Sequence, residues 1–334
     1  MKKIAVIGAG YSGLSTCWHF RESFPADQID LFDKSPIGEN TSGASTGLMH
    51  GFVGRSAKKS LYADDAIECA LPLLKSAQKN IKQKLYYQEG LVRLAINEEI
   101  DSILQKVALA HDEVEYLSVN QVKELFSGLV NHSGIFIKNA ITVNSVEYLK
   151  GLFLDLKNKG ISFFQKKVNQ EDLKDYDIKI FCTGHDIDLL VDKSVKYEKI
   201  KGQMLICEWP DDLPELKLSV CGNGHITTFG KMCLLGATYE HDFQDIKVDA
   251  NVNKVLDRIK TFFPLVEKLK IIDAKAGIRI KRRGSYFPLV MPLGDNSWLF
   301  SCLGSRGLLY HSYLAKKLAY AIKDNSALDK NIIV

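Results

Sequence analysis

The sequence predicts an α/β protein that opens with a parallel βαβ unit. The first observation is the apolar run Lys3–Ile7, whose β-branched and small residues are typical of a strand buried on both faces. The glycine-rich stretch Gly8-Ala9-Gly10-Tyr11-Ser12-Gly13 follows and leads into Leu14–Phe24, which has helical apolar spacing. Gln28–Phe32 is then typical of a second strand, which is closed by Asp33. Together these features predict a Rossmann-like unit.

The GxGxxG spacing gives each glycine a physical task. Gly8 permits the sharp turn after the strand, Gly10 lets a pyrophosphate approach the backbone, and Gly13 allows the helix to pack closely on the strand. Free N–H groups and a partial positive charge at the helix N-terminus favour the phosphates. Asp33 stands twenty residues after Gly13, where a carboxylate accepts hydrogen bonds from both ribose hydroxyls. The unit is therefore predicted to bind the ADP half of a dinucleotide.

The bulk composition is that of an ordinary globular protein. The chain has 334 residues, of which 46% are hydrophobic and 25% charged, and a net charge of +4; this length predicts roughly two domains. Seven scattered cysteines without a CxxC pair predict reduced core residues and no metal site. The apolar start is too short for a secretion signal, and no run approaches the ~18 residues of a membrane span, so a cytoplasmic protein is expected.

The segment after Asp33 bears on which dinucleotide is bound. Gly38–Gly47 is a long loop of glycines, hydroxyls and small residues, where a nicotinamide dehydrogenase usually continues with a regular βα repeat. Such a loop can wrap the pyrophosphate of a bulkier cofactor and continue toward its isoalloxazine ring. An ordinary surface loop is the alternative. The pattern favours FAD over NAD.

Apolar spacing predicts the remaining elements. The segments with helical periodicity are Asp64–Lys84, Val143–Lys159, Asp249–Phe263 and Ser312–Ile322. Short strands are expected at Leu91–Ile96 and Ile135–Ile137. The sequence contains no internal repeat and no proline-rich linker.

A series of short motifs recurs over roughly residues 3–322. In order, they are Ser42-Gly43-Ala44-Ser45, Lys167-Val168-Asn169, Ile178–Gly184, Lys201-Gly202-Gln203, Leu235-Gly236-Ala237-Thr238, Ala276-Gly277-Ile278-Arg279, Phe287-Pro288-Leu289 with Pro292, and Cys302–Leu308. With the N-terminal fingerprint, this series resembles the D-amino acid oxidase family of FAD-dependent oxidoreductases, which includes glycine and sarcosine oxidases. The stretch Gly304–Leu308 is especially similar to the FAD module of the bifunctional enzyme that finishes a tRNA wobble-uridine modification.

The resemblance implies a Rossmann-like FAD-binding domain interleaved with an α+β substrate domain built on an antiparallel sheet. Segments 1–75, 140–200 and 270–334 would form the FAD-binding domain, and segments 76–139 and 201–269 the substrate domain. Lys167-Val168-Asn169 corresponds to the family strand whose valine backbone touches the adenine. Non-covalent FAD is expected, because the chain does not match the cysteine-containing segment that holds FAD covalently in sarcosine oxidases.

The fingerprint and the resemblance together imply FAD-contacting residues along the whole chain. They are Gly8, Gly10, Tyr11, Ser12, Gly13, Asp33, Lys34, Ser42, Gly43, Ala44, Ser45, Thr46, Gly47, Leu48, Val168, Thr183, Gly184, Arg279, Gly304, Ser305, Arg306, Gly307 and Leu308. The last five are expected along the flavin pyrimidine edge, where backbone N–H groups and a helix start stabilise negative charge. A plain helix-entry turn is the alternative for that segment.

Three residues are the predicted catalytic contacts with the substrate: Arg279, His225 and His50. In the family, the arginine matching Arg279 binds the substrate carboxylate through its planar fork. Alternatively, Arg279 is a surface member of the basic cluster Arg279–Arg283, which also suits a nucleic-acid backbone. His225 stands where D-amino acid oxidases commonly have tyrosine; it either orients substrate and titrates near neutral pH or is an ordinary histidine. His50 and Arg55 either reach the re-face side of the flavin or are loop residues.

These expectations leave three functions open. The leading one is oxidation of the C–N bond of an amino acid or secondary amine by hydride transfer to flavin N5, with hydrolysis of the imine; it needs no side-chain base once the amine is deprotonated. The second is an FAD oxidoreductase that modifies a tRNA wobble uridine. The small positive net charge of the chain disfavours this function. The third is a non-catalytic FAD-binding subunit. A small-molecule substrate is therefore the expected partner, with tRNA less favoured.

Overall fold

The structure is a computed structural model that describes residues 1–126, 128–188, 190–191, 195–328 and 332. Its strands are β1 (Lys3–Ile7), β2 (Gln28–Asp33), β3 (Leu48–Met49), β4 (Tyr86–Tyr87), β5 (Leu91–Leu94), β6 (Val114–Leu117), β7 (Gly134–Ile137), β8 (Ile141–Val143), β9 (Ser162–Gln165), β10 (Ile178–Phe181), β11 (Tyr197–Glu208), β12 (Ser219–Cys221), β13 (His225–Phe229), β14 (Met232–Gly236), β15 (Lys270–Arg282), β16 (Leu289–Gly294) and β17 (Ser297–Ser301). Its α-helices are α1 (Tyr11–Ser23), α2 (Ala63–Gln78), α3 (Glu98–Ala110), α4 (Val119–Leu125), α5 (Ser145–Asn158), α6 (Lys254–Lys260) and α7 (Gly307–Lys323).

Six strands form the sheet that carries the glycine-rich turn, in the order β16-β17-β10-β1-β2-β9. The strands from β17 to β9 are parallel to one another, whereas β16 is antiparallel to β17. β1 lies between β10 and β2, and Ile4, Ala5 and Val6 are completely buried, as expected for a central parallel strand. Apolar residues of α1, α2, α5 and α7 share one core cluster with this sheet.

Eight strands form the second sheet, in the order β15-β11-β14-β13-β12-β5-β7-β6. All neighbours are antiparallel except β12 and β5, which are parallel. Leu205 and Leu235 on its strands pack with Val255, Ile259 and Phe262 of the segment that contains α6. A third, three-stranded sheet has the order β3-β8-β4. The predicted α/β fold, with a Rossmann-like parallel sheet and a second, largely antiparallel one, is confirmed.

The chain enters the parallel sheet three times. Its strands come from residues 3–33, 162–181 and 289–301, and strands of the second sheet lie between them in the sequence. β15 pairs with β11 along its length, from Tyr197 opposite Arg282 to Glu208 opposite Lys270. By sheet membership, residues 270–282 therefore belong with the antiparallel sheet, although the predicted division at 270 groups them with the FAD-binding segments. The ranges 76–139, 140–200 and 270–334 also include residues outside the described ones.

Two predicted helices are shorter than their apolar spacing indicated. α2 ends at Gln78, whose side-chain amide donates to the carbonyls of Ile81 and Gln83 and whose amide oxygen accepts from the Leu85 N–H. This side chain replaces helical hydrogen bonds and turns the chain. α5 begins at Ser145 because Asn144 caps it by accepting from the Glu147 N–H, and Val143 belongs to β8.

The predicted helix Asp249–Phe263 divides into a 3₁₀ turn over Ala250–Asn253 and α6. Asp249 caps the turn by accepting from the Asn251 N–H. The prediction of a strand at Lys167-Val168-Asn169 is wrong, because β9 ends at Gln165. The reason is a reciprocal pair of hydrogen bonds that closes a turn. The Asn169 N–H donates to the Asp172 carboxylate, and the Asp172 N–H donates to the Asn169 side-chain oxygen.

The cysteines are all unpaired; six are buried and Cys69 is half-buried. Among the described residues, no helix combines the length and the apolar character needed to cross a bilayer.

Candidate active site

A cavity of about 1120 Å³ lies between the two sheets. Its wall runs from the β1–α1 turn and the end of β2 to residues of β11, β13 and β15, and includes the N-terminus of α7. Small-molecule pockets commonly measure ~300–1,000 Å³, so this space suits a large ligand. The end of the wall that contains His50, His225, Thr238, Arg258 and Arg279 is called here the arginine end.

The β1–α1 turn has the geometry that a phosphate cradle requires. Gly8 has a φ of +108°, and a Cβ there would lie 2.2 Å from the carbonyl oxygen of Cys182. Gly10 lines the cavity and, as the N-cap of α1, has no side chain to occupy the free N–H groups of the first turn. A Cβ on Gly13 would lie 1.7 Å from the Gly8 carbonyl oxygen, so Gly13 serves packing and does not line the cavity.

Asp33 lines the cavity and also holds the turn together. Its Oδ2 accepts the Ala9 N–H at 2.7 Å, and its Oδ1 accepts from the Ser35 N–H and the Asn40 side chain at 2.8 and 3.2 Å. A carboxylate has about four lone-pair sites, so these contacts leave one for a ribose hydroxyl rather than two. Lys34, next along the wall, pairs with Asp186 at 2.5 Å.

The loop between β2 and β3 supplies small polar residues to the wall. Tyr11 and Ser12 line the cavity, and the Ser42 hydroxyl accepts from the Tyr11 N–H at 3.2 Å. The other predicted residues of this loop that line the cavity are Ser42, Ala44, Ser45, Thr46 and Leu48. Gly43 and Gly47 do not line it; they allow close backbone packing, because a Cβ would lie 1.8 Å from the Gly38 and Val143 carbonyl oxygens respectively.

Loops after β9 and β10 complete the nucleotide side of the wall. Val168, Thr183 and Gly184 all line the cavity. The Thr183 hydroxyl donates to the Asp186 carbonyl at 2.8 Å, and Gly184 has a φ of +61°. These residues come together because β10 lies beside β1, so the loop after β10 meets the glycine-rich turn at the carboxyl edge of the parallel sheet.

The N-terminus of α7 reaches the same cavity. Gly304, Ser305, Gly307 and Leu308 line it, so the positive end of α7 faces the cavity. No side chain caps this end of the helix. Arg306 does not line it. Its Nε donates to the Ser60 hydroxyl, and its guanidinium lies 4.6 Å from the centre of the Tyr286 ring.

At the arginine end, Arg279 projects from β15 across the backbone of Gly202. A Cβ on Gly202 would lie 1.9 Å from Arg279 Nη2, so the absence of a side chain there makes room for the guanidinium. Nη2 donates to the Thr238 carbonyl at 3.0 Å, and the guanidinium carbon lies 5.6 Å from the Tyr239 ring centre. Arg279 is thus separate from Lys281, which pairs with Glu198 at 3.1 Å.

His225 lies at the start of β13, with its Nδ1 2.7 Å from the Cys221 sulfur. Burial, and secondarily the charges of Arg279 and Arg93, lower its pKa from 6.5 to about 4. The expectation that His225 titrates near neutral pH is therefore wrong: the ring is neutral there. Its Nδ1 contact leaves Nε2 as the ring nitrogen for a ligand.

His50 is buried in the cavity wall, and its Nδ1 has no hydrogen-bond partner among the described residues. Burial, followed by the charge of Arg93, lowers its pKa from 6.5 to about 3. An orphaned buried nitrogen facing a cavity is expected where a ligand supplies the missing partner. Arg55 does not share this position; it is exposed and pairs with Glu99 at 2.6 Å.

Two further arginines lie at or near this end and were missed in the sequence. Arg258 of α6 lines the cavity and donates from Nη1 to the Ala237 carbonyl at 3.0 Å. Arg93 of β5 donates to the carbonyls of Phe52 and Gly54 and lies close enough to lower the pKa of both histidines. Both belong to segments whose sequences are typical of ordinary amphipathic elements, so only tertiary structure reveals them.

A family model described as DAO, FAD dependent oxidoreductase, matches residues 3–321. Among solved structures, a glycine oxidase from Bacillus cereus ATCC 14579 superposes with a TM-score of 0.83 at 15% identity, covering 98% of this chain and 96% of that chain. An iminodiacetate oxidase from Chelativorans sp. BNC1 superposes with a TM-score of 0.80 at 17% identity, covering 98% and 96%. At such identities, these likenesses show the fold.

The chain also matches part of a curated relative. The tRNA 5-methylaminomethyl-2-thiouridine biosynthesis bifunctional protein MnmC of Legionella pneumophila (strain Lens) is 24% identical over 222 residues. The match covers 61% of this chain and 33% of that relative, so the chain spans about a third of the relative's length.

Proposed function

Because the chain belongs to the DAO family of FAD-dependent oxidoreductases, we propose that it oxidises the carbon–nitrogen bond of a small amine or amino acid whose carboxylate binds Arg279. The observation that carries the proposal is the placement of this guanidinium in the cavity wall, over Gly202 and near the neutral His225. A guanidinium has five N–H donors in a planar fork. Among the described contacts, Thr238 accepts one of them.

The cavity wall fits FAD along its whole length. Gly10 and the N-terminus of α1 beyond Tyr11 would hold the pyrophosphate, Asp33 a ribose hydroxyl, and the N-terminus of α7 the flavin pyrimidine edge. When bound, FAD accepts a hydride from the carbon beside the amine nitrogen, and water hydrolyses the resulting imine to a carbonyl compound and an amine or ammonia.

The side chains at the arginine end bind and orient the substrate. Arg279 would hold the carboxylate, and the neutral rings of His225 and His50 would donate or accept hydrogen bonds without adding charge. Among the described residues of this end of the wall, none is a carboxylate. Their pKa values of about 4 and about 3 also make His225 and His50 weak bases. The amine proton would therefore leave to water, and the substrate would react as the free amine.

The test is anaerobic mixing of the FAD-loaded protein with glycine, sarcosine, D-amino acids, proline and a modified-uridine nucleoside. We expect one class of amine to bleach the flavin absorbance. Arg279→Ala should raise the apparent Kd for that substrate by at least tenfold with FAD retained, whereas the exposed Arg283→Ala serves as the matched control and should leave it unchanged. An unchanged Kd in Arg279→Ala would contradict the carboxylate assignment, and a flavin that no amine bleaches favours a non-catalytic FAD-binding subunit.

A second candidate is supported by the partial match to the tRNA-modifying relative. In this version, the same arginine end would act on a modified uridine within tRNA. The nucleoside in the substrate panel, followed by tRNA carrying it, separates the two functions: bleaching by tRNA but not by free amino acids would favour this candidate.

A further inference from the structure

Two guanidiniums are anchored to neighbouring carbonyls of one segment at the arginine end. Arg279 donates from Nη2 to the Thr238 carbonyl at 3.0 Å, and Arg258 donates from Nη1 to the Ala237 carbonyl, also at 3.0 Å. They arrive from different elements, β15 and α6, and both line the cavity. The fold thus anchors two positively charged groups to consecutive residues of one segment in the same cavity wall.

The acidic side chains around the two arginines make their direct contacts with other residues. Neither arginine forms an ion pair with a described carboxylate. The charge of the nearby Glu240 acts on Arg279 without a direct ion pair, because the Glu240 oxygens accept from the side chains of Gln203, Thr238 and Asn251. Asp249 is likewise paired with the buried Lys201 at 2.6 Å. Arg93 adds positive potential at His225. A substrate carboxylate on Arg279 therefore leaves Arg258 without an ion-pair partner among the described residues.

Partly desolvated charges are stable when a partner of opposite sign is supplied. We propose that Arg258 binds a second anionic group of the substrate, so that this enzyme acts on small amino acids that carry two acidic groups. The inference rests on the proposed function in assigning the first carboxylate to Arg279. The orphaned Nδ1 of His50, buried in the same wall, provides an additional polar contact for such a ligand.

The chemistry that Arg258 offers fits a carboxylate or a phosphonate, because a guanidinium fork binds either in a bidentate manner. A polynucleotide is the less favoured ligand: both guanidiniums are half-buried in the cavity wall rather than displayed on an exposed face.

The test uses ligands that have no oxidisable nitrogen, with the flavin absorbance spectrum of the FAD-loaded protein as the binding signal. Oxydiacetate carries two carboxylates and ethoxyacetate is its counterpart with one; phosphonoacetate provides the phosphonate arm. We expect oxydiacetate or phosphonoacetate to bind at least tenfold more tightly than ethoxyacetate. Arg258→Gln should abolish this preference, and Arg258→Lys should retain part of it. Lys254→Gln, an exposed change on the same helix, should leave it intact.

Equal affinities of the three ligands in the unsubstituted protein would overturn the proposal, as would a preference that survives in Arg258→Gln. FAD content and melting temperature show whether Arg258→Gln folds. If it does not, the ligand preference of Arg258→Lys decides whether Arg258 binds the second anionic group. Displacement of oxydiacetate by single-stranded RNA, weakened by Arg258→Gln, would assign Arg258 to a polynucleotide and also overturn it. An Arg258-dependent preference in a protein whose flavin no amine bleaches would retain the second anion site and reject the proposed oxidation.

Discussion

Gly202 lies on β11 directly opposite Gly277 of β15, and the Arg279 guanidinium rests across it. In Gly202→Ala, the new methyl group would lie 1.9 Å from Nη2 and 2.7 Å from Cζ of Arg279. Contacts this short are not tolerated, so the guanidinium must move and lose its hydrogen bond to Thr238. Gly202 does not have the positive φ that would strain alanine, so the backbone should accept the change.

The magnitude follows from the contact that is displaced. Hydrogen bonds to charged groups contribute about 1.5–3 kcal/mol, which corresponds to roughly 10- to 150-fold in affinity. Gly202→Ala should weaken binding of a carboxylate substrate by that factor while FAD content stays unchanged, measured by anaerobic flavin reduction over a range of substrate concentrations. In a double-mutant cycle, adding Gly202→Ala to Arg279→Ala should cost little more. Equal losses in the two backgrounds would refute the reasoning, because the glycine would then act independently of the arginine.

Two further predictions concern stability. Burial holds the pKa of His19 and His50 at about 3 and that of His311 at about 4, below their ordinary 6.5. As the pH falls through 6.5, these histidines therefore take up protons in the unfolded chain before they do so in the folded protein. The free energy of unfolding should decrease as the pH is lowered below 6.5. Between pH 6.5 and 5.5 each should cost about 1 kcal/mol, seen as a lower urea midpoint, and an unchanged midpoint would contradict the assignment. Asp249→Asn should lower the melting temperature more than Lys201→Met. The first change leaves the buried Lys201 ammonium without its ion-pair partner, whereas the second removes the buried charge itself. Equal decreases in melting temperature would count against this explanation.

The elements that could be predicted from the sequence are those whose cause is local. The glycine-rich turn requires particular residues at particular steps of the backbone, and so Gly8, Gly10 and Gly13 could be assigned their tasks, with Gly13 in contact with Gly8. The bounds of β1 followed from its apolar run, and β2 was predicted to within one residue from the apolar residues Ile29, Leu31 and Phe32.

What could not be predicted depends on distant parts of the chain. Arg258 stands on the polar side of a short helix, and nothing local indicates that this side meets the carbonyl of Ala237. The neutral state of His225 results from burial and from arginines on other strands. Arg306 was expected at the flavin edge together with Gly304–Leu308, yet its side chain does not line the cavity and donates to Ser60.

The order of strands in the parallel sheet has a consequence for biosynthesis. β1 pairs with β10, which in turn pairs with β17, so the sheet that shapes the phosphate cradle needs segments from residues 3–7, 178–181 and 297–301. On the ribosome, the glycine-rich turn emerges before β10 and β17 and lacks these neighbours until residues 178–181 and 297–301 have been synthesised. Such long-range pairings make folding slow. A ligand that binds only the completed sheet shifts the balance toward the native state by mass action, so flavin supply should govern how much of the newly made chain escapes proteolysis.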